Sequence, residues 1–132
     1  MTASLTEAQL QAFQARLRAR LKTLIEETRQ ILIDSDEEPY IRLAGEVHDT
    51  GEQSVADLLV DLDLADVDRH IEEIRDIEAA LRRVRGQKYG VCIDCGGDIA
   101  YARLNAYPTA KRCIRCQEMH EKTYLEPGRP SL

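Results

Sequence analysis

Four cysteines set the terms on which this chain folds. They form two pairs, Cys92-Ile-Asp-Cys95 and Cys113-Ile-Arg-Cys116, with seventeen residues between them. Two Cys-x-x-Cys turns at this separation bring four thiolates onto one ion. Gly96 and Gly97 give the first pair the backbone freedom for a tight turn. Four thiolates complete a closed tetrahedral site, which leaves no position for water or substrate. The spacing therefore predicts one structural Zn2+ held by Cys92, Cys95, Cys113 and Cys116. Tetrathiolate iron uses the same ligands and is the metal alternative. A redox couple needs only one Cys-x-x-Cys, so the second pair argues against it.

The 86 residues ahead of this module read as helix. Between residues 4 and 33, Leu10, Phe13, Leu17, Leu21, Leu24, Thr28 and Ile31 recur at three- and four-residue steps, a coiled-coil-like seam. Ser4 or Thr6 can cap the start, and Glu7 is placed for a capping box with Ser4. Residues 34–53 break the rhythm with Pro39, Gly45 and Gly51, and read as a connection containing a short turn at Tyr40, Ile41 and Leu43. From 54 to 85 the steps resume through Val60, Leu64, Val67, Ile71, Ile74, Ile77, Leu81 and Val84, and Gly86 is a stop. The expected fold is mostly α: a long antiparallel helical hairpin (coiled coil) over 1–86, with an acidic tip around 34–54. A small four-cysteine zinc-finger module follows over 87–132, with a short terminal helix at 114–125. His48, His70 and His120 show no partner pattern and are given no chemical role.

Charge is unevenly distributed. The net charge is −6, yet residues 34–68 carry twelve carboxylates against one base, Arg42. Such polarity suits a partner that reads one end of the molecule. Nothing at the start resembles a signal peptide and no run is long enough to span a membrane, so a cytoplasmic protein is expected. Aromatic residues are few, one Phe, five Tyr and no Trp, in keeping with a thin helical core.

The stretch "IEAALRRVRGQKYGVCIDCGGDIAYARLNAYPTAKRCIRCQ", residues 77–117, resembles the DksA/TraR family of zinc-finger bacterial transcription factors. The matching pieces are the IEAAL helix end, YGVC-x-x-CG, Ile99 to Leu104, the PTA at 108–110 and C-x-x-CQ. The resemblance implies a regulator that binds RNA polymerase with its zinc end at the rim of the secondary channel. The hairpin would enter that channel, and its acidic tip would reach toward the active-site region to modulate initiation. The family's tip motif, Asp-x-x-Asp-x-Ala, falls on Asp49, Glu52 and Ser54. Asp49 is kept, Glu52 is a longer carboxylate, and Ser54 puts a hydroxyl where the motif has a methyl. Arg69 falls where the family has an arginine implicated in the polymerase contact. Asp76, Tyr107 and Gln117 fall where members that sense guanosine tetraphosphate carry basic residues. An acid and two neutral side chains are poor phosphate ligands, so the nucleotide response is expected to be weak or lost.

Several bland readings stand beside these. Asp49 and Glu52 also suit a helix N-terminus, where the dipole favours acids. Arg69 could simply pair with Asp66 or Glu73 along its helix. A zinc-ribbon nucleic-acid-binding protein, or another interaction module, is the alternative function. Arg103, Lys111, Arg112 and Arg115 make the zinc module locally basic, but a pI near 5.1 and the lack of a basic stripe argue against sequence-specific DNA binding. An enzyme using Asp49 and Glu52 has no nucleophile or cofactor signature behind it.

Overall fold

The computed structural model describes residues 5–48, 54–59 and 65–124. The elements in chain order are α1 (Glu7–Asp34), α2 (Glu38–His48), α3 (Val55–Leu59), α4 (Ala65–Arg85), α5 (Tyr101–Ala106) and α6 (Ile114–Tyr124). Among the described residues the β pairing is one isolated antiparallel bridge, Val91 with Asp98. No described helix is long and apolar enough to cross a membrane. The chain divides into two compact units, residues 15–79 and residues 1–14 with 80–132.

Helix α1 begins with a capping box, but Thr6 and Gln9 build it. Gln9 N–H donates to Thr6 Oγ1 at 3.1 Å, and Thr6 N–H donates to Gln9 Oε1 at 2.9 Å. Each side chain satisfies a backbone donor that the helix leaves open. Ser4, the other expected cap, lies outside the described residues. Asp36 ends the helix in a left-handed conformation, φ 58°, which a short polar side chain tolerates better than most. Ser35 supports the turn: its hydroxyl donates to the Leu32 carbonyl at 2.6 Å and accepts Glu37 N–H at 3.3 Å.

In the unit of residues 15–79, α1 and α4 run antiparallel. Arg20 grips Glu73 with two nitrogens, at 2.6 and 3.0 Å, and Glu27 meets His70 at 3.0 Å. His70 thus has a role that the sequence did not reveal. The Arg20 hydrogen bond holds the Glu73 carboxyl below the usual carboxylate range. The pair therefore stabilises the fold above the carboxylate's unfolded value, and this support is lost as pH falls through the lowered native value. Both side chains are about half exposed, so the pair contributes only about 0.2–1 kcal/mol.

Of the α1 seam, Leu17, Leu24 and Thr28 are buried, while Leu21 and Ile31 are half-buried and the neighbouring Leu32 takes the buried place expected of Ile31; in α4, Val67, Ile71, Ile74 and Ile77 are buried. Val60 and Leu64 lie outside the described residues. Thr28 is fully buried, and its hydroxyl has no hydrogen-bond partner among the described residues. A buried hydroxyl without a partner loses its hydration and gains nothing in return. Thr28→Val keeps the shape and removes that loss. It is expected to stabilise the protein by about 1–2 kcal/mol, read as a higher urea midpoint with an unchanged slope.

The connection 34–53 differs from expectation: most of it is α2. Pro39 sits in the first turn, where a helix leaves its N–H groups unbonded anyway. The Tyr40 and Ile41 N–H groups both reach the Glu37 carbonyl at 3.0 Å. Gly45 is exposed, with nothing within 4 Å of where a Cβ would stand. Ala44 and Val47 bury one face of α2, and Val55, Ala56 and Leu59 bury α3.

The second long helix also differs. Ser54 and Glu78 are hydrogen-bonded at 2.7 Å. Twenty-four residues of straight helix would hold them about 36 Å apart. So α3 does not continue α4 in a line but is folded back beside it.

Helix α4 ends at Arg85, directly before the expected stop at Gly86. The left-handed residue is Gln87, φ 61°. Its N–H reaches the Val84 carbonyl at 3.2 Å, and Lys88 N–H reaches that of Arg83 at 2.8 Å. This is a Schellman motif, with Gly86 as the cap before it.

Candidate metal centre

The cysteine module is built on the unit of residues 1–14 and 80–132. Directly after α4, Tyr89 turns inward and is fully buried. Its hydroxyl donates to the Pro108 carbonyl at 2.7 Å, and Arg83 donates to the next carbonyl, that of Thr109, at 3.3 Å. The Tyr89 ring lies 5.7 Å from Phe13, whose other neighbour, Tyr101, is 5.6 Å away. These contacts fix the loop that leads to the second cysteine pair. Ile99 and Leu104 complete the small core.

A tight turn forms the first knuckle. Cys92 N–H donates to the Gly97 carbonyl at 2.8 Å, and Gly96 N–H donates to the Cys92 carbonyl at 3.0 Å. Gly96 has φ 73°, a conformation L side chains rarely adopt. Ile93 N–H crosses to the Lys111 carbonyl at 2.9 Å and so ties the two pairs together. A second tie uses side chains. Arg112 donates to Asp94 at 2.8 Å, and Arg103 donates to the Arg112 carbonyl at 3.0 Å. Asp94 lies inside the first pair and Arg112 abuts the second. Opposite charges at those two places are the sequence signal for this clasp.

The four sulfurs all lie within 4.8 Å of one another, and Cys95 Sγ stands 3.9 Å from Cys113 Sγ. A tetrahedral zinc with Zn–S bonds of about 2.3 Å needs sulfurs about 3.8 Å apart. The set therefore fits the ion. Backbone donors face the sulfurs: Gly97 N–H to Cys95 Sγ and Cys116 N–H to Cys113 Sγ, both at 3.4 Å. Burial opposes ionisation of Cys92, but backbone N–H groups at Cys95, Cys113 and Asp94, helped by the Cys116 thiol, outweigh it. They bring its thiol down to about 6. The Cys113 sulfur, burial and the other two sulfurs push Cys116 up to about 12. Four clustered thiols thus give up the first proton readily and retain the last, and a dication reverses that balance. Cys92, Cys95, Cys113 and Cys116 would hold the ion, which supplies a structural crosslink.

The other sequence-derived candidates do not gather at this centre. Asp49 and Glu52 lie outside the described residues. Ser54 begins α3: its hydroxyl donates to Glu78 Oε1 and accepts Asp57 N–H at 3.2 Å. The hydroxyl by which the tip motif departs from alanine is thus engaged inside the protein. Arg69 is exposed on α4, and Glu73, one partner expected for it, is held by Arg20. Tyr107 is exposed, Asp76 is exposed on α4, and Gln117 faces Glu121 at 3.4 Å. Of the basic residues on the module, Arg103 and Arg112 are spent on the clasp, while Lys111 and Arg115 are exposed.

Comparison with known proteins places this centre. Residues 87–122 match the family model of the prokaryotic dksA/traR C4-type zinc finger, which makes the structural ion zinc. A relative from Caulobacter vibrioides, named RNA polymerase-binding transcription factor DksA, is 31% identical over 120 residues, covering 89% of this chain and 80% of the relative. The Escherichia coli K12 protein of the same name is 31% identical over 117 residues, 89% of this chain and 74% of its own. Among solved structures, transcription factor DksA2 from Pseudomonas aeruginosa has a TM-score of 0.61 at 25% identity, covering 89% of this chain and 86% of that one. A Chlamydia trachomatis structure, titled as an RNA polymerase binding protein and transcriptional regulator, shares the fold at TM-score 0.53 and 22% identity, over 92% and 98% of the two chains. With its zinc finger and nearly its whole length matched, the chain belongs to the DksA/TraR family.

Proposed function

We propose that this protein binds RNA polymerase and regulates transcription initiation as a factor rather than an enzyme. One observation carries the reading: 31% identity across 89% of the chain to proteins named RNA polymerase-binding transcription factors. The finer picture follows from the family. The zinc end, 87–132, docks at the rim of the secondary channel, and the hairpin, 1–86, enters it. Asp49, Glu52 and Ser54 act at the tip, and Arg69 contacts polymerase. The acidic density of residues 34–68 supports this, since carboxylates suit a channel that conducts nucleotides and is lined with bases. The protein would work in the cytoplasm, where its partner is, without reading DNA sequence. Arg103 and Arg112 being committed within the module supports that last point. Guanosine tetraphosphate is expected to have little effect, because Asp76, Tyr107 and Gln117 offer no positive charge.

The test is binding to bacterial RNA polymerase core, followed by open-complex lifetime at a ribosomal promoter. The Asp49→Asn/Glu52→Gln double variant is expected to bind as wild type does. Its effect on lifetime should be about tenfold smaller, the scale of one lost charge-assisted contact. A wild-type protein that does not bind core polymerase would overturn the reading.

A further inference from the structure

One carboxylate of α4 meets the start of α3 with both its oxygens. Glu78 of α4 accepts the Ser54 hydroxyl on Oε1 at 2.7 Å and the Val55 N–H on Oε2 at 3.0 Å. The Val55 N–H is one that a helix start leaves unbonded. Both oxygens are therefore used, and both partners come from the start of α3. Behind this contact Val55, Ala56 and Leu59 are buried.

The sequence, however, is written for another placement as well. In the sequence, apolar steps begin at Val60 and run through Leu64 to Val67 and on to Leu81, in the rhythm of one helix from 54 to 85. Residues 54–59 can thus lie folded back on α4 or stand in line with it. Glu78 bonds them only in the first case.

We propose that Glu78 is a latch that holds α3 folded back in the free protein, and that polymerase binding releases it so that α3 aligns with α4. The proposal rests on the polymerase reading above. Its consequence is autoinhibition. Asp49 and Glu52 of the proposed tip precede Ser54 by only five and two positions in the chain. Release uncovers Val55, Ala56 and Leu59, so the aligned form is the minor one until a partner surface covers them. The apparent affinity for polymerase is then reduced by the small fraction of the aligned form.

Spin labels at positions 57 and 75, both exposed, test this directly. Introduced through unnatural side chains, they leave the zinc cysteines untouched. In the free protein the label distance should be short. With polymerase core added it should grow toward about 27 Å, the length of the intervening residues as helix. Glu78→Ala should already lengthen it in the free protein. The same variant should lower the concentration giving half the effect on open-complex lifetime about tenfold, as expected for loss of hydrogen bonds to a charged group. Glu78→Gln should behave as wild type, because its amide oxygen accepts Val55 N–H and its amide N–H can donate to the Ser54 hydroxyl. A distance that stays short in the complex overturns the latch. So does a Glu78→Ala variant that leaves the free-protein distance unchanged, or one that needs more protein for the same effect. If wild type does not bind polymerase at all, the polymerase reading fails and takes the release step with it. The free-protein distance in Glu78→Ala still decides whether Glu78 holds α3.

Discussion

Removing zinc with a strong chelator is expected to unfold residues 87–117 while leaving the α1–α4 pairing of residues 15–79 in place. Unaided, the module has little to hold it. Among the described residues its apolar core is Phe13, Ala80, Leu81, Tyr89, Ile99 and Leu104. Its backbone is tied by turns and one isolated bridge rather than by a sheet. Metal binding in small zinc modules contributes on the order of 10 kcal/mol, more than such a core supplies. Hydrogen exchange should show protection lost at Cys92, Ile93, Gly96 and Ile99, whose N–H groups are bonded in the knuckle. Serine substitution should grade the ligands. Cys92 is 1% exposed and Cys95 is exposed, so Cys92→Ser is expected to be the more damaging, since it also buries a hydroxyl. Acid should act in the same direction as the chelator. The metal-free cluster keeps protons up to the Cys116 value of about 12, so protons compete with zinc, and less chelator should suffice as pH falls. Retention of knuckle protection in fully zinc-free protein would refute the expectation.

The second large effect belongs to Tyr89. This residue is 0% exposed and joins the end of α4 to the loop before the second cysteine pair. Tyr89→Ala removes a ring packed 5.7 Å from Phe13 and is expected to cost about 3–5 kcal/mol. Tyr89→Phe keeps the ring but leaves the Pro108 carbonyl without its donor, at about 1–2 kcal/mol. Urea denaturation of the zinc-loaded protein separates the two. Equal losses would mean that the hydroxyl, and not the ring, carries the site.

The metal centre was legible because ligand spacing is a local property: two Cys-x-x-Cys turns carry their own geometry. The seams of α1 and α4 were legible because burial on one helix face repeats along the chain. What failed was non-local or depended on position within an element. Pro39 and Gly45 read as breakers, yet a proline in a first turn and a glycine on an exposed face both sit within α2. Gly86 read as the stop, and α4 does end before it at Arg85, but the left-handed conformation falls on the neighbouring Gln87. The rhythm from 54 to 85 read as one helix, since periodicity reports which face is apolar and not which partner covers it. The Ser54–Glu78 contact and the Glu27–His70 pair span 24 and 43 positions. No local pattern announces such distances.

The unit that carries the zinc module is discontinuous, made of residues 1–14 and residues 80–132. A ribosome makes its two parts at different times. Phe13 emerges well before Tyr89 and Tyr101, the rings it packs against. Roughly 75 residues must be added in between, on the order of 4–15 s at ordinary rates of synthesis. For that interval the Phe13 ring lacks the two rings that cover it. This uncovered ring waits for partners made just before and after the first cysteine pair, and no supply of metal can shorten the wait.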